Sequence, residues 1–315
     1  MLRRILLATD LSPYAAAVVD CVAGLRDVGV RDVVLLHVVD QALGYVQGAA
    51  GFDVIGQLRL DAERSLRDEA GRLEAEGFAV RTRLEVGVPA REIVRVAEEE
   101  RVDLIVVGAY GRTRWVEALL GSVTERVLHA ARRPVLVERP KVLAELDRVE
   151  CRCRGERTFE RVLMPTDFSP ASAVAQGFLG RLRDTSLKDV IVLHVVAEPE
   201  SRGGRVRGAD QTLREAQALL DGVVDDMVRE GLPARHRLEQ GVPADTILRV
   251  AEEEGVGSIV MGSRGRGMVA ELLLGSVAER VARRSERPVV IVPARGRRGS
   301  RWANRARGTG HKAQG

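Results

Sequence analysis

Nearly everything between residues 3 and 293 is written twice. RRILLATDLSP, starting at residue 3, returns as ERVLMPTDFSP at 160, and DVVLLHVVD at 32 returns as DVIVLHVVA at 189, both displaced by 157 positions. LEVGVPAREIVRVAEEERVDLIVVG at 84 matches LEQGVPADTILRVAEEEGVGSIVMG at 238, displaced by 154. The second copy is therefore three residues shorter, between residues 40 and 84 of the first. This period is too long for a solenoid repeat, so the chain is a tandem duplication of one domain. Any fold assigned to it must close a hydrophobic core twice, over residues 1–138 and again over 160–293. Residues 139–159, RPKVLAELDRVECRCRGERTF, match neither copy and read as a linker.

Strand and helix signals alternate within each copy. ILLAT is a short apolar run, after which Ser12 and Pro13 open a helix near residues 13–27, because Ser caps a first turn and Pro fits it. VVLLHVV is a second buried strand, a helix near 57–76 stops at Gly77, and AVRTRLEV alternates as an edge strand does. PAREIVRVAEEE is a helix, DLIVVG a third apolar strand, and a helix near 116–131 leads into PVLVE; the second copy repeats this order and ends in PVVIV. Such alternation specifies an α/β class with a parallel sheet covered by helices on both faces. Aromatic residues make up only 3% of the chain, so Val, Leu, Ile and Ala must fill the cores. In open sheets of this kind a ligand sits beyond the carboxyl ends of the strands, where strand order reverses. Two pairs of segments end such strands: residues 8–10 with 107–111, and 165–167 with 261–265.

Beyond those ends the copies share one spacing: Gly, two residues, Gly, nine residues, Gly-Ser. It is Gly108, Gly111, Gly121 and Ser122 in the first copy, and Gly262, Gly265, Gly275 and Ser276 in the second. Glycine at a strand end lets a ligand approach the main-chain N–H groups. A Gly-Ser opening a helix offers free amides at the positive end of the dipole, a natural anion site. A glycine-rich strand-to-helix turn needs no ligand, but the whole spacing, found twice behind a buried strand, points to a phosphate loop. Arg112, Arg264 and Arg266 stand where a polyphosphate needs counter-charge, the simpler alternative for each being a solvated loop arginine. Asp10 and Asp167 supply acceptors for ribose hydroxyls, or cap a helix.

The pI near 9.3 does not describe the folded body. Residues 294–315 hold six Arg and one Lys with no acid; removing those seven charges from the net +4 leaves about −3 for the rest. The tail reads as a basic disordered extension, with an electrostatic anchor for nucleic acid or an acidic partner as the alternative. No run of 18 apolar residues is present, so no membrane-spanning helix is expected. Cys21, Cys151 and Cys153 are too few for a disulfide framework, and the cytoplasm is the expected compartment.

ILLATDLS and VLMPTDFS, LLHVVD and VLHVVA, VGVPAREIV and QGVPADTIL, and the two glycine segments ending LLGSVTERVL and LLGSVAERVA together resemble the universal stress protein family, in its ATP-binding branch and in tandem form. The resemblance covers nearly all of residues 2–138 and 160–293. It implies two Rossmann-like domains, each a five-stranded parallel sheet in the order 3-2-1-4-5. It also implies pairing of the two last strands across a pseudo-two-fold axis, an internal dimer, and a possible association of two chains. For the site it implies an adenine-nucleotide pocket. Asp10 and Asp167 would contact the adenosine end, flanked by Thr9 and Thr166 and preceded by Ala8 and Pro165. The main chain of Val39 and Val196 would pair with the adenine edge. Gly108 to Gly111 and Gly262 to Gly265 would wrap ribose and phosphates, with Ser122, Val123, Thr124, Ser276 and Val277 holding the phosphate tail. Ala109 and Tyr110 depart from the family's small and polar residues there, so the second copy is the more typical binder.

No GxxxxGK[ST] motif occurs, and no carboxylate or His beside the phosphate loop stands out as an activator of water. The expectation is an ATP-binding stress-response protein with little or no catalysis; a slow ATPase or phosphoryl- or adenylyl-transferring enzyme is the alternative. Mg²⁺ would accompany the phosphates without a protein-made cage. His37 and His194 read as core histidines, the CxC of the linker lacks the further ligands of a zinc site, and RDEAGRLEAE at 67–76 reads as a solvated helix face.

Overall fold

The computed structural model describes residues 1–42, 54–110, 120–145, 148–152, 157–197, 209–265 and 274–294. The chain divides into two compact units, Met1–Glu156 and Arg157–Gly315.

In the first unit, β1 (Arg4–Thr9) pairs in parallel with β2 (Asp32–Asp40) on one side and β4 (Leu104–Gly108) on the other. β2 then pairs with β3 (Ala79–Gly87), and β4 with β5 (Val135–Glu138), giving the expected order 3-2-1-4-5. Continuous apolar runs form the inner strands because both sheet faces are covered: Ile5, Leu6, Leu35, Ile105 and Val106 are fully buried. Each such side chain contributes about 1.5–3 kcal/mol of burial free energy. β3 lies at the edge, where Arg83 pairs with Glu85, Glu99 and Glu100. A charged edge of this kind resists pairing with another chain.

The helices are α1 (Pro13–Val22), α2 (Val54–Ala75), α3 (Pro89–Glu99) and α4 (Ser122–Ala130). Ser12 caps α1 by accepting a hydrogen bond from the Ala15 N–H at 3.2 Å. α4 starts six residues later than the apolar pattern suggests: Gly121 is extended, with φ −62° and ψ 141°, and is the residue before the first turn. Residues 116–119 lie outside the described residues.

The second unit repeats the plan. β8 (Arg161–Pro165) is flanked by β9 (Asp189–Val196) and β11 (Ser258–Gly262); β10 (Ala234–Gln240) pairs with β9 and β12 (Val289–Val292) with β11, all in parallel. Its helices are α5 (Ala173–Leu179), α6 (Ala209–Arg229), α7 (Pro243–Glu253) and α8 (Ser276–Arg284). Phe159, 2% exposed, takes the place of Leu2 and packs on Phe178, so this core begins just before residue 160.

Two features come from contacts distant in sequence. The stretch read as a linker contains an antiparallel hairpin, β6 (Lys141–Glu145) with β7 (Arg148–Arg152), that belongs to the first unit. Cys21 is disulfide-bonded, and its helix α1 packs against β7, the strand that contains Cys151. The contact joins segments well over 100 residues apart, so cysteine count alone does not expose it. Among the described residues no helix is long and apolar enough to cross a membrane. The tail from residue 295 lies outside the described residues.

Candidate nucleotide site

In each unit the strand order reverses between the first strand and its inner neighbour, β1 beside β4 and β8 beside β11. At that point the same turn is built twice. Asp10 Oδ1 accepts from the Ser12 N–H, and Asp167 Oδ1 from the Ser169 N–H, each at 3.0 Å. Thr9 Oγ1 accepts from the Leu11 N–H at 3.0 Å and Thr166 Oγ1 from the Phe168 N–H at 3.1 Å. The residue between, Leu11 or Phe168, has φ +61°, a left-handed conformation uncommon for bulky side chains. Such a residue is kept where surrounding bonds over-determine it, and functional sites concentrate such strain. His37 and His194 brace the turn from the neighbouring strand, each placing Nδ1 2.8 Å from the carbonyl oxygen of Thr9 or Thr166. Both are therefore positioning side chains at the strand tip.

The glycine segments are clasped at their bases. Ala109 N–H donates to the Glu138 carbonyl at 3.0 Å, and the Ala109 carbonyl accepts from Gly121 N–H at 2.8 Å. Ser263 does the same with Val292 at 2.9 Å and Gly275 at 2.7 Å. α4 and α8 thus start at the carboxyl end of the sheet, and no side chain caps either one. The N–H groups of Ser122, Val123 and Thr124, and of Ser276, Val277 and Ala278, have no intrahelical acceptor and carry the positive end of the helix dipole. Ser122 and Ser276 begin these helices, directly after the extended Gly121 and Gly275.

The second unit leaves room for main chain only. A Cβ on Gly262 would lie 2.2 Å from the Ala171 carbonyl oxygen, and one on Gly265 2.7 Å from Asp167 Oδ2. Gly265 therefore lies directly against the Asp167 carboxylate, and Arg264 beside it is half-buried. In the first unit Tyr14 and Tyr110 stand at the positions of Ala171 and Arg264. Tyr14 meets Tyr110 edge-on at 5.2 Å, and Arg139 donates to the Tyr110 hydroxyl at 2.9 Å with its guanidinium 5.5 Å from that ring's centre. Gly111, Arg112 and Arg266 lie outside the described residues.

Hydrogen bonds at the strand tips show which main-chain and hydroxyl groups are already engaged. Parallel strands turn alternate residues' main-chain groups to opposite neighbours. The Val196 carbonyl accepts from Gly241 N–H, and Gln41 N–H donates to the Gly87 carbonyl, so Val196 and Val39 face the outer strands β10 and β3. The residues that face inward past the tips are Val38 and Val195, because the last register pairs there are Thr9 with His37 and Pro165 with Leu193. The hydroxyls of Thr9 and Thr166 are buried within the turn: Thr9 Oγ1 donates to Glu69 Oε1 and Thr166 Oγ1 to Ser172 Oγ, both at 3.1 Å. Thr124 Oγ1 donates to the Gly108 carbonyl at 2.7 Å, fastening α4 to β4. Ala8 is half-buried and Pro165 buried at the same tips.

Glu69, bonded to the Thr9 hydroxyl, departs from the expected solvated face. It lies in the segment read as solvated, yet it is 7% exposed, and its Oε2 is buried with no hydrogen-bond partner. Burial raises its carboxyl to about 7, against the lowering effects of the Thr9 hydroxyl and Arg72.

The universal stress protein family model matches residues 1–139 and 158–293. The universal stress protein MJ0577 of Methanocaldococcus jannaschii is 34% identical over 157 residues, which cover 45% of this chain and 97% of that one. One such relative therefore corresponds to about half of this chain. A universal stress protein of Mycolicibacterium smegmatis is 28% identical over 228 residues, covering 70% of this chain and 71% of its own length. The crystal structure of a universal stress protein from Archaeoglobus fulgidus superposes with a TM-score of 0.69 at 27% identity, covering 94% of this chain and 98% of that one.

Proposed function

The chain belongs to the universal stress protein family, and from that premise we propose that each copy binds ATP and that occupancy, rather than turnover, is its output. One observation carries the reading: in the second copy Gly265 lies against Asp167 with no space for a side chain, at the sheet end where the uncapped α8 begins. The Asp167 carboxylate, the main chain of Gly262 and Gly265, and the first amides of α8 all lie at the carboxyl end of the sheet. The carboxylate suits sugar hydroxyls, the glycine main chain allows a ligand close approach, and the helix amides suit anionic phosphates.

In this reading Asp10 and Asp167 accept hydrogen bonds from the adenosine end, and the main chain of Val38 and Val195 meets the adenine edge. The glycine loops wrap ribose and phosphates. The amides of Ser122 to Thr124 and of Ser276 to Ala278 hold the phosphate tail, and Arg264 adds charge in the second copy. The triphosphate brings negative charge that these groups neutralise; Mg²⁺ accompanies it in solvated form. Occupancy then shifts a surface that other proteins read. The cytoplasm is the compartment where such a ligand is abundant.

Mass spectrometry of small molecules released from the denatured, purified chain tests the reading. Adenine nucleotide at up to two per chain is the expected result. Steady production of ADP that depends on Asp10 or Asp167 would replace the binding role with an enzymatic one.

A further inference from the structure

The two copies satisfy the same threonine hydroxyl in different ways. In the first, Thr9 Oγ1 donates to Glu69 on α2. In the second, Thr166 Oγ1 donates to Ser172. Aligning α2 with α6 through their buried residues, Ala62 with Ala216, Leu66 with Leu220 and Leu73 with Met227, puts Val223 at the position of Glu69. The displacement of 157 residues puts Ala15 at the position of Ser172. The first copy has thus placed a carboxylic acid where the second has an aliphatic side chain, and has removed the hydroxyl that the acid replaces.

Glu69 is connected to the proposed site by two bonds. Its Oε1 holds the Thr9 hydroxyl, and Thr9 Oγ1 holds the Leu11 N–H in the turn that fixes Asp10. Its other oxygen is buried without a donor, an arrangement that penalises the ionised form. The charged groups around it are of both signs. Arg72, on its own helix, favours ionisation but is shared with Asp20 of α1 and with the Ala16 carbonyl. Asp10 after β1 and Asp20 on α1 both oppose ionisation. His37 of β2 reaches the same threonine through its carbonyl.

We propose that Glu69 is a positioning residue that makes nucleotide binding at the first copy proton-linked, while the second copy binds without that linkage. The inference rests on the nucleotide reading given above. An anionic ligand held at the tip of β1 adds like charge beside Asp10 and favours the protonated acid. Binding at the first copy therefore takes up a proton near neutral pH and tightens as the pH falls, and one chain holds two sites with different responses to acidification.

The test is calorimetric titration of the full chain with Mg-ATP at pH 6, 7 and 8, in buffers of different ionisation enthalpy, for the natural chain and Glu69→Gln. One of the two sites is expected to take up protons and to tighten by about twofold or more between pH 8 and pH 6, as follows when bound nucleotide strengthens one carboxylate's hold on its proton about threefold. Glu69→Gln should bind at both sites and lose the excess uptake; the titration of ATP itself cancels in the comparison. Should Glu69→Gln fail to fold, Glu69→Val combined with Ala15→Ser reproduces the arrangement of the second copy and should bind without linkage. ATP binding with identical proton uptake in the natural chain and the variant overturns this inference alone. No ATP binding by a folded chain overturns the nucleotide reading and this inference with it.

Discussion

Gly265 stands against Asp167 so closely that a Cβ would come within 2.7 Å of Oδ2. Main chain and carboxylate are thereby held as one unit at the tip of β8. Gly265→Ala should displace the Asp167 carboxylate and weaken ATP at the second copy by about tenfold or more, since one lost charge-assisted contact is worth roughly 1.5–3 kcal/mol. The first copy should bind as before. Calorimetric titration resolves the two, and unchanged affinity at both would show that Asp167 is not a ligand group.

Gly262 is constrained by backbone rather than by a side chain, its Cβ position lying 2.2 Å from the Ala171 carbonyl oxygen. Gly262→Ala should therefore lower the thermal midpoint markedly. Gly71 and Gly222, inside α2 and α6, have nothing within 4 Å of a Cβ. Gly71→Ala and Gly222→Ala should each raise stability by about 0.5–1 kcal/mol, the helix-interior preference for Ala. Calorimetric melting of the three variants tests the opposite signs.

Thr124 uses its hydroxyl to fasten α4 to the Gly108 carbonyl, and the second copy has Ala278 at that position. Thr124→Ala should cost about 1 kcal/mol of stability and leave ATP affinity at the first copy within about twofold. A large loss of affinity without loss of stability would instead assign that hydroxyl to the phosphates.

Glu138 is 2% exposed and its carboxyl is pushed up to about 7, chiefly by burial, with one oxygen lacking a partner. The folded chain therefore holds a proton there that the unfolded chain releases at its ordinary, lower value. Stability then falls as the pH rises from about 4.5 to about 7 and levels off above that. Glu69 contributes with the same sign. Urea midpoints at pH 5.5, 7 and 8.5 should show Glu138→Gln gaining on the natural chain as pH rises; parallel pH profiles would contradict the assignment.

The parts of this fold legible in the sequence are those set by local pattern. Continuous apolar runs, Pro at the first turn and the duplicated glycine spacing place the inner strands, α1, α3 and both loops, because each depends on residues a few positions apart. One feature depends on sheet register and another on helix phase. Whether Val38 or Val39 faces the strand tip is decided by which neighbour takes the Gln41 amide, and a one-residue slip reverses it. Glu69 depends on the phase of α2 across residues 62–73. Read alone, RDEAGRLEAE is a solvated face; set beside Ala62, Leu66 and Leu73, position 69 falls on the buried stripe of α2. The hairpin against α1 and the bonded Cys21 come from contacts more than 100 residues apart, which no local pattern encodes.

The central claim is that Asp10 and Asp167, with the first amides of α4 and α8, receive a nucleotide at each strand tip. Equilibrium dialysis of nucleotide-stripped, folded protein against millimolar Mg-ATP measures it directly. The account predicts saturable binding approaching two ATP per chain, with the midpoint of one site raised about tenfold by Gly265→Ala. No bound ATP at that concentration, with the fold intact by circular dichroism, would contradict it.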